Sequence, residues 1–352
     1  MHSRRIARAV AGATAVTALA GCDSGTTGQP TARSTTADGP LVEHIHTADP
    51  SGHVWAGRLY VYPSHDVDTG VPPDRLGSQY DMRDYHVLSM AQVGGEVVDH
   101  GVALALADIP WADRQLWAPD AARKGDRYYL FFPAKDRDGI FRIGVATSAD
   151  PAGPFVAEPE PIAGSQSIDP AVFTDEDGTT YLYQGGILGG QLQRWRNGGY
   201  VGTDTYPAND EPALGPRVAR LTDDLLGLAE PVREVVVLDE AGRPLRQGDP
   251  RRFFEGSWVH RRAGRYYLMY STGESRQLAW ATGDSPYGPF SYGGTVLEPV
   301  DGWTTQGSIV EVGGDWYLLY HDASRSGVDH LRDVRIAPLE YDEDGGIRTV
   351  KR

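Results

Sequence analysis

Beyond residue 40 no long stretch places apolar residues at i, i+3, i+4 and i+7, whereas apolar, β-rich runs recur at 59–62, 128–132, 141–147, 235–238, 266–270 and 316–320. This patterning predicts an all-β protein. Four of the strands follow a turn glycine: Gly57-Arg-Leu-Tyr-Val-Tyr, Gly125-Asp-Arg-Tyr-Tyr-Leu, Gly178-Thr-Thr-Tyr-Leu-Tyr and Gly314-Asp-Trp-Tyr-Leu-Leu. The stretch 251–271 repeats the layout, running from Phe254-Glu255-Gly256-Ser257 through a polar turn into the strand 266–270. Ahead of each turn glycine, roughly five to nine positions upstream, stands one polar residue: Asp49, Asp120, Asp169, Glu255 or Gln306. The copies start about 50 to 85 residues apart, room for four strands of ordinary length with their loops, which is one propeller blade. Five copies predict a five-bladed β-propeller in which the five leading residues converge on a central depression. Any one acid alone reads equally well as a solvated strand-end charge or a turn-forming Asx residue; five in register favour a site.

Two further patterns refine this layout. Gly-Pro-Phe occurs at 153–155 and 288–290, after Asp150-Pro151 and Ser285-Pro286, and predicts matching corners in two blades. The glycine-rich segment 185–210 shows no strand pattern and predicts a rim loop over the pocket.

The first 40 residues differ in kind. Arg4, Arg5 and Arg8 precede a small and apolar run, 9–20, that is too short to span a bilayer and ends in Leu19-Ala20-Gly21-Cys22. Residues 1–21 read as an export signal, and Leu-Ala-Gly-Cys resembles a bacterial lipobox. That resemblance implies cleavage before Cys22, acylation of Cys22, and an exported protein held on the cell membrane by its lipid alone. An ordinary cleaved signal with an incidental cysteine is the alternative. Residues 22–40, rich in Ser, Thr, Gly and Pro, have no apolar surface to bury and read as a flexible linker; residues 41–352 form the propeller. Cys22 is the sole cysteine, so no internal disulfide can staple the fold. Net charge is −15, or about −18 without the three signal arginines, which excludes nucleic acid as a natural partner and suits a neutral ligand such as a sugar as well as it suits mere solubility.

The segments Ala48-Asp49-Pro50-Ser51, Trp117-Ala118-Pro119-Asp120, Ser167-Ile168-Asp169-Pro170-Ala171 and Phe254-Glu255-Gly256-Ser257, in this order, resemble glycoside hydrolase family 43. The likeness runs from about Thr47 to the end. Tyr60 to Asp66, Phe141 to Ala146 and Gly302 to Val310 are similar to its bacterial β-xylosidase and α-L-arabinofuranosidase members. The resemblance implies a five-bladed propeller and assigns Asp49 as general base, Asp169 as the carboxylate that orients and tunes the acid, and Glu255 as general acid. The residues themselves agree with that division. Glycoside hydrolysis needs one protonated and one ionised carboxyl; Glu255, among Phe253, Phe254 and Trp258, is the acid most exposed to desolvation, while Asp49, beside Pro50, Ser51 and His53, has polar neighbours. Since Asp49 and Glu255 belong to the first and fourth repeats, they stand across the axis, and the expected separation is the wider one of inverting enzymes, about 6.5–9.5 Å.

Trp117 and Phe254 are candidates to stack on a sugar ring or to pack in the core, and Asp120 to shape the pocket. The resemblance brings Arg332 to the pocket; a surface strand arginine is the other reading. Gln306 stands where many members carry a calcium-linked histidine. A glutamine carbonyl can ligate calcium or one of its waters, so the resemblance leaves a central cation open, although the chemistry requires no cofactor. The remaining histidines show no metal-ligand spacing, and His321 reads as a structural histidine. The expected activity is release of xylose or arabinose units from xylo- or arabino-oligosaccharides of hemicellulose. An endo-arabinanase, a galactosidase and a non-catalytic carbohydrate-binding propeller are the alternatives; the complete acid and base set argues against the last.

Overall fold

The computed structural model describes residues 39–351; the expected signal, Cys22 and most of the linker lie outside them. Five separate sheets follow one another along the chain. The first blade comprises His46–Trp55, Arg58–Asp66, Asp84–Met90 and Val97–Ala105, paired in sequence order. The second is led by Asp120–Lys124, the third by Ala171–Thr174, the fourth by Phe253–Arg262 and the fifth by Gly307–Val312. The strand predicted at 235–238 is reduced to Val237–Leu238, a parallel addition beside Phe290 on the outer edge of the fourth blade. The only helical turns among the described residues are short 3₁₀ segments.

Why the second strand of each blade reads as a continuous apolar run becomes clear from its packing. Successive side chains point to opposite faces, and here both faces are covered. In Arg127–Asp136, Leu130 and Phe132 pack on Tyr85 and Val87 of the first blade, while Tyr129 and Phe131 pack on Val172 and Leu182 of the third. Each of the five apolar clusters fills one seam between neighbouring blades. The two Gly-Pro-Phe corners are equivalent: Tyr62 donates its hydroxyl hydrogen to the Pro151 carbonyl at 2.6 Å, and Tyr183 to that of Pro286 at 2.5 Å. Phe155 and Phe290 fill the seams beside them.

The fifth sheet has three strands, Gly307–Val312, Asp315–Asp322 and Asp333–Leu339. Its outer edge is met by the start of the propeller, where the Leu41 N–H donates to the Val334 carbonyl at 2.8 Å and the Thr47 N–H to that of Arg332 at 2.9 Å. The ring is thereby closed by its own two ends. At the inner part of the same seam Gly52 donates its N–H to Ser308 Oγ at 3.0 Å, and a side chain at Gly52 would place Cβ 2.3 Å from Leu319 Cδ1. Glycine leaves there the space that the fully buried Leu319 fills.

This seam is testable by a double-mutant cycle in urea. Leu319→Ala is expected to cost about 2–5 kcal/mol and Gly52→Ala about 1–3 kcal/mol through overpacking. The double variant should lose clearly less than the sum, because the cavity accepts the new methyl; simple additivity would show that the two positions do not touch.

Candidate active site

Four of the five leading residues face a cavity of about 660 Å³ at the axis: Asp49, Asp169, Glu255 and Gln306. The local backbone explains which ones. Asp49 lies where the pairing of His46–Trp55 with Arg58–Asp66 shifts register between Ala48 and Ser51, and its φ is +49°. Asp169 has φ +54°, and the register around Glu255 shifts on both sides, with Gly256 at φ +68°. Such irregularities re-aim side chains that a regular ladder would hold in strict alternation.

Asp120 shows the contrast. It sits in an unbroken ladder opposite Phe131, so its side chain stays inside the seam and does not line the cavity, contrary to the expectation for it. There it accepts hydrogen bonds from His53 Nε2 at 2.7 Å, its neighbour's Ala121 N–H at 2.7 Å and the Val172 N–H at 2.5 Å. It therefore joins the first three blades.

Asp49 is held on every side. Its Oδ1 accepts from Arg332 Nη1 at 3.0 Å and its Oδ2 from the Ser64 hydroxyl at 2.8 Å. Its own N–H donates to His321 Nδ1 at 3.0 Å. That bond fixes the tautomer: Nδ1 carries the lone pair, and Nε2–H donates to the Thr304 carbonyl at 3.0 Å. Burial depresses the imidazole pKa as well, so His321 is a neutral, structural residue. Arg332 is almost wholly buried; besides Asp49, it donates from Nε and Nη2 to the two oxygens of Asp66 at 2.8 and 2.7 Å, and from Nη1 to Thr304 Oγ1 at 2.9 Å. It thus lines the cavity rather than standing on a surface strand. Burial alone would push Asp49 upward, but the Arg332 charge and the hydrogen bonds from Ser64 and Arg332 outweigh it and hold the carboxyl below its ordinary range.

The opposite holds across the cavity. Burial pushes Glu255 up to about 8, the Asp49 charge adds to it, and the distant Arg332 only partly offsets the shift. Asp169 is also displaced well upward, by burial first and then by the charges of Glu255 and Asp49, despite the Gly256 N–H that donates to its Oδ2 at 2.9 Å. Ionising either member of the Asp169 and Glu255 pair holds the proton more firmly on the other.

The walls are aromatic and apolar. Trp117 and Phe254 both line the cavity, yet Trp117 is also anchored in the core, donating Nε1–H to the Tyr80 carbonyl at 2.7 Å and packing 4.6 Å from the Phe141 ring. The segment 185–210 does reach the cavity, through Ile187 to Gly190 and Tyr206. It is tied to two of the acid-bearing segments: the Gly185 N–H donates to the Ile168 carbonyl at 2.7 Å and the Ile187 N–H to that of Phe254 at 2.9 Å. Ser64, Asp66 and Thr304 lie inside stretches that resemble the family, yet little in those stretches marks them as site residues. The alternation of Ser64 and Asp66 at the end of a strand opposite Ala48 is the one local signal that pointed to two of them.

A family model described as glycosyl hydrolases family 43 matches residues 99–347. A xylosidase/arabinosidase 43A from Humicola insolens is 55% identical over 323 residues, covering 89% of this chain and 99% of its own. A β-xylosidase from Xylanibacter ruminicola is 48% identical, covering 87% and 97%. Among solved structures, a β-xylosidase/α-arabinofuranosidase from a compost metagenome, in complex with xylotriose and calcium-free, superimposes with a TM-score of 0.87 at 58% identity, covering 88% and 96%. With the five-bladed propeller in agreement with these matches, the chain is a glycoside hydrolase and belongs to family 43.

Proposed function

We propose that the protein is an inverting glycosidase that releases xylose or arabinose units from hemicellulose-derived oligosaccharides. The observation that carries the acid and base roles is the opposite displacement of carboxyls in one cavity: Asp49 is kept ionised, while the Asp169 and Glu255 pair keeps a proton near neutral pH; inversion is inferred from the origin of Asp49 and Glu255 in the first and fourth blades. The relatives named above support the pentose substrate, since the enzymes are named for xylose and arabinose and the compost structure holds xylotriose.

Glu255 donates its proton to the glycosidic oxygen as the bond to the anomeric carbon breaks. Asp49 takes a proton from the water that attacks that carbon from the other side. Each turnover leaves Asp49 protonated and Glu255 ionised, and exchange with solvent resets both. Asp169 accepts from Gly256 N–H and so fixes the backbone beside Glu255, while its proximity keeps the acid protonated. Trp117 and Phe254 supply apolar surface for the sugar rings.

Calcium needs six to eight oxygens. At the axis Gln306 offers one neutral oxygen, and both oxygens of Asp49 and one of Asp169 are already engaged. This donor set does not fit a protein-caged calcium ion. Chelation by EDTA is expected to leave the hydrolytic rate unchanged; a loss that calcium restores would give Gln306 a ligand's role.

The mechanism makes a joint prediction for stereochemistry and pH. Proton NMR of the first turnovers should show a product of inverted anomeric configuration; a retained product or a trapped glycosyl-carboxylate would overturn the assignment. Activity on oligosaccharides should fall as pH rises through about 8, where Glu255 loses its proton, and on the acid side only below the usual carboxylate range, where Asp49 gains one. Glu255→Gln should abolish the alkaline limb while retaining measurable activity on aryl glycosides with good leaving groups. Asp49→Asn should disable both substrate classes.

We also propose that the protein is exported and lipid-anchored through Cys22, on the strength of Leu19-Ala20-Gly21-Cys22 behind a basic and apolar leader. Wild type should partition into detergent and Cys22→Ser should not. Recovery of wild type in the medium with an unmodified amino terminus would exclude the anchor.

A further inference from the structure

The first blade carries a cluster that the hydrolytic site does not use. His65 ends the strand Arg58–Asp66, and Asp84 and His86 open the strand Asp84–Met90. These strands pair Leu59 with Met90, Tyr60 with Ser89 and Val61 with Leu88. Continued, the same register sets His65 opposite Asp84, and His86, two positions on, shares a face with Asp84. One ligand atom from each of the three lies within 4.8 Å of the others. None of them lines the central cavity.

The chemistry of the cluster is that of an N/O metal site. His86 Nδ1 lies 2.9 and 3.1 Å from the two Asp99 oxygens, so this nitrogen carries the hydrogen and donates it. In the neutral ring the Nε2 lone pair is then free. It faces Asp84 Oδ1 at 3.9 Å, beyond hydrogen-bonding distance. His65 Nδ1 approaches the same oxygen at 2.5 Å. The two gaps straddle the roughly 3.3 Å ligand-to-ligand edge expected of a tetrahedron with metal–ligand bonds of about 2.0–2.1 Å. Asp99 behind His86 forms the carboxylate–histidine relay that orients metal-bound imidazoles and raises their basicity. Asp99 is itself fixed by the Gly101 N–H at 2.8 Å and by His44 Nε2 at 2.7 Å. The side chains of His65, Asp84 and His86 are 15%, 24% and 11% exposed, open enough for an ion to enter and for water to complete its shell.

We propose that His65, Asp84 and His86 bind one divalent ion of the zinc class, with Asp99 as the partner that orients His86. Two imidazoles and one carboxylate suit Zn²⁺ or Co²⁺ and not the all-oxygen shell of Ca²⁺. The site is structural: the ion pins together two strand ends, one residue from Asp66, which holds Arg332.

Full-length protein stripped with chelator and titrated with Co²⁺ should develop visible d–d absorption that saturates at one equivalent, and Zn²⁺, but not Ca²⁺, should displace it. The melting temperature should rise with Zn²⁺ concentration, as expected for an ion that binds only the folded state. His65→Gln and His86→Gln should each remove the band and the thermal shift. Asp99→Asn should keep the band but weaken affinity about 10- to 100-fold. Circular dichroism and aryl-glycosidase activity confirm that the variants fold, since neither histidine touches the hydrolytic site. Absence of a Co²⁺ band with wild type, or a band that survives in both histidine variants, would overturn the proposal.

Discussion

A guanidinium removed from water has to be answered by opposite charge, and Arg332 is answered twice. Asp66 grips it through two parallel bonds and Asp49 takes a third hydrogen. A buried pair of this kind adds little net stability over an apolar substitute; what it does here is set position and charge. Arg332 cannot leave without stranding Asp66, and while it remains, Asp49 can neither rotate freely nor pick up a proton near neutral pH. The base is thus defined by a residue that performs no proton transfer itself.

The same cation explains why chemically similar groups in one cavity behave differently. Asp49 receives a direct bond from Arg332, whereas Glu255 feels it only at a distance and feels the Asp49 charge as well. Desolvation acts on both carboxyls, so the asymmetry comes from where one positive charge is placed. Asp169 amplifies it, because two carboxyls confined together resist holding two negative charges.

The blades were legible in the sequence because a strand buried on both faces must be apolar throughout, and the runs at 128–132 and 266–270 are. The identity of the cavity-facing residues was only partly legible. Asp120 stands only five positions before its turn glycine, where the others stand eight or nine, and it points into a seam. That shorter interval matches the unbroken ladder of Asp120–Lys124 and, with Gly256 beside Glu255, was the linear hint of the difference. Ser64, Asp66 and Thr304 fall inside family-like stretches and His321 reads as structural, but the contacts of Asp66 and His321 with Arg332 and Asp49 were not legible, since ring closure brings those residues together. The cluster of His65, Asp84 and His86 was invisible for a related reason: its spacing matches no ligand motif until the pairing of two strands sets it face to face.

Closure of the ring at its own ends bears on how the enzyme comes into being. Asp49 belongs to the first blade and Arg332 precedes the final strand, 283 positions later. During synthesis all three acids emerge well before the arginine that organises one of them, and contacts of such long range are slow to form. An unfinished or truncated polypeptide therefore contains every acid and base of the reaction yet has no competent base, so hydrolysis is withheld until the last blade has locked onto the first.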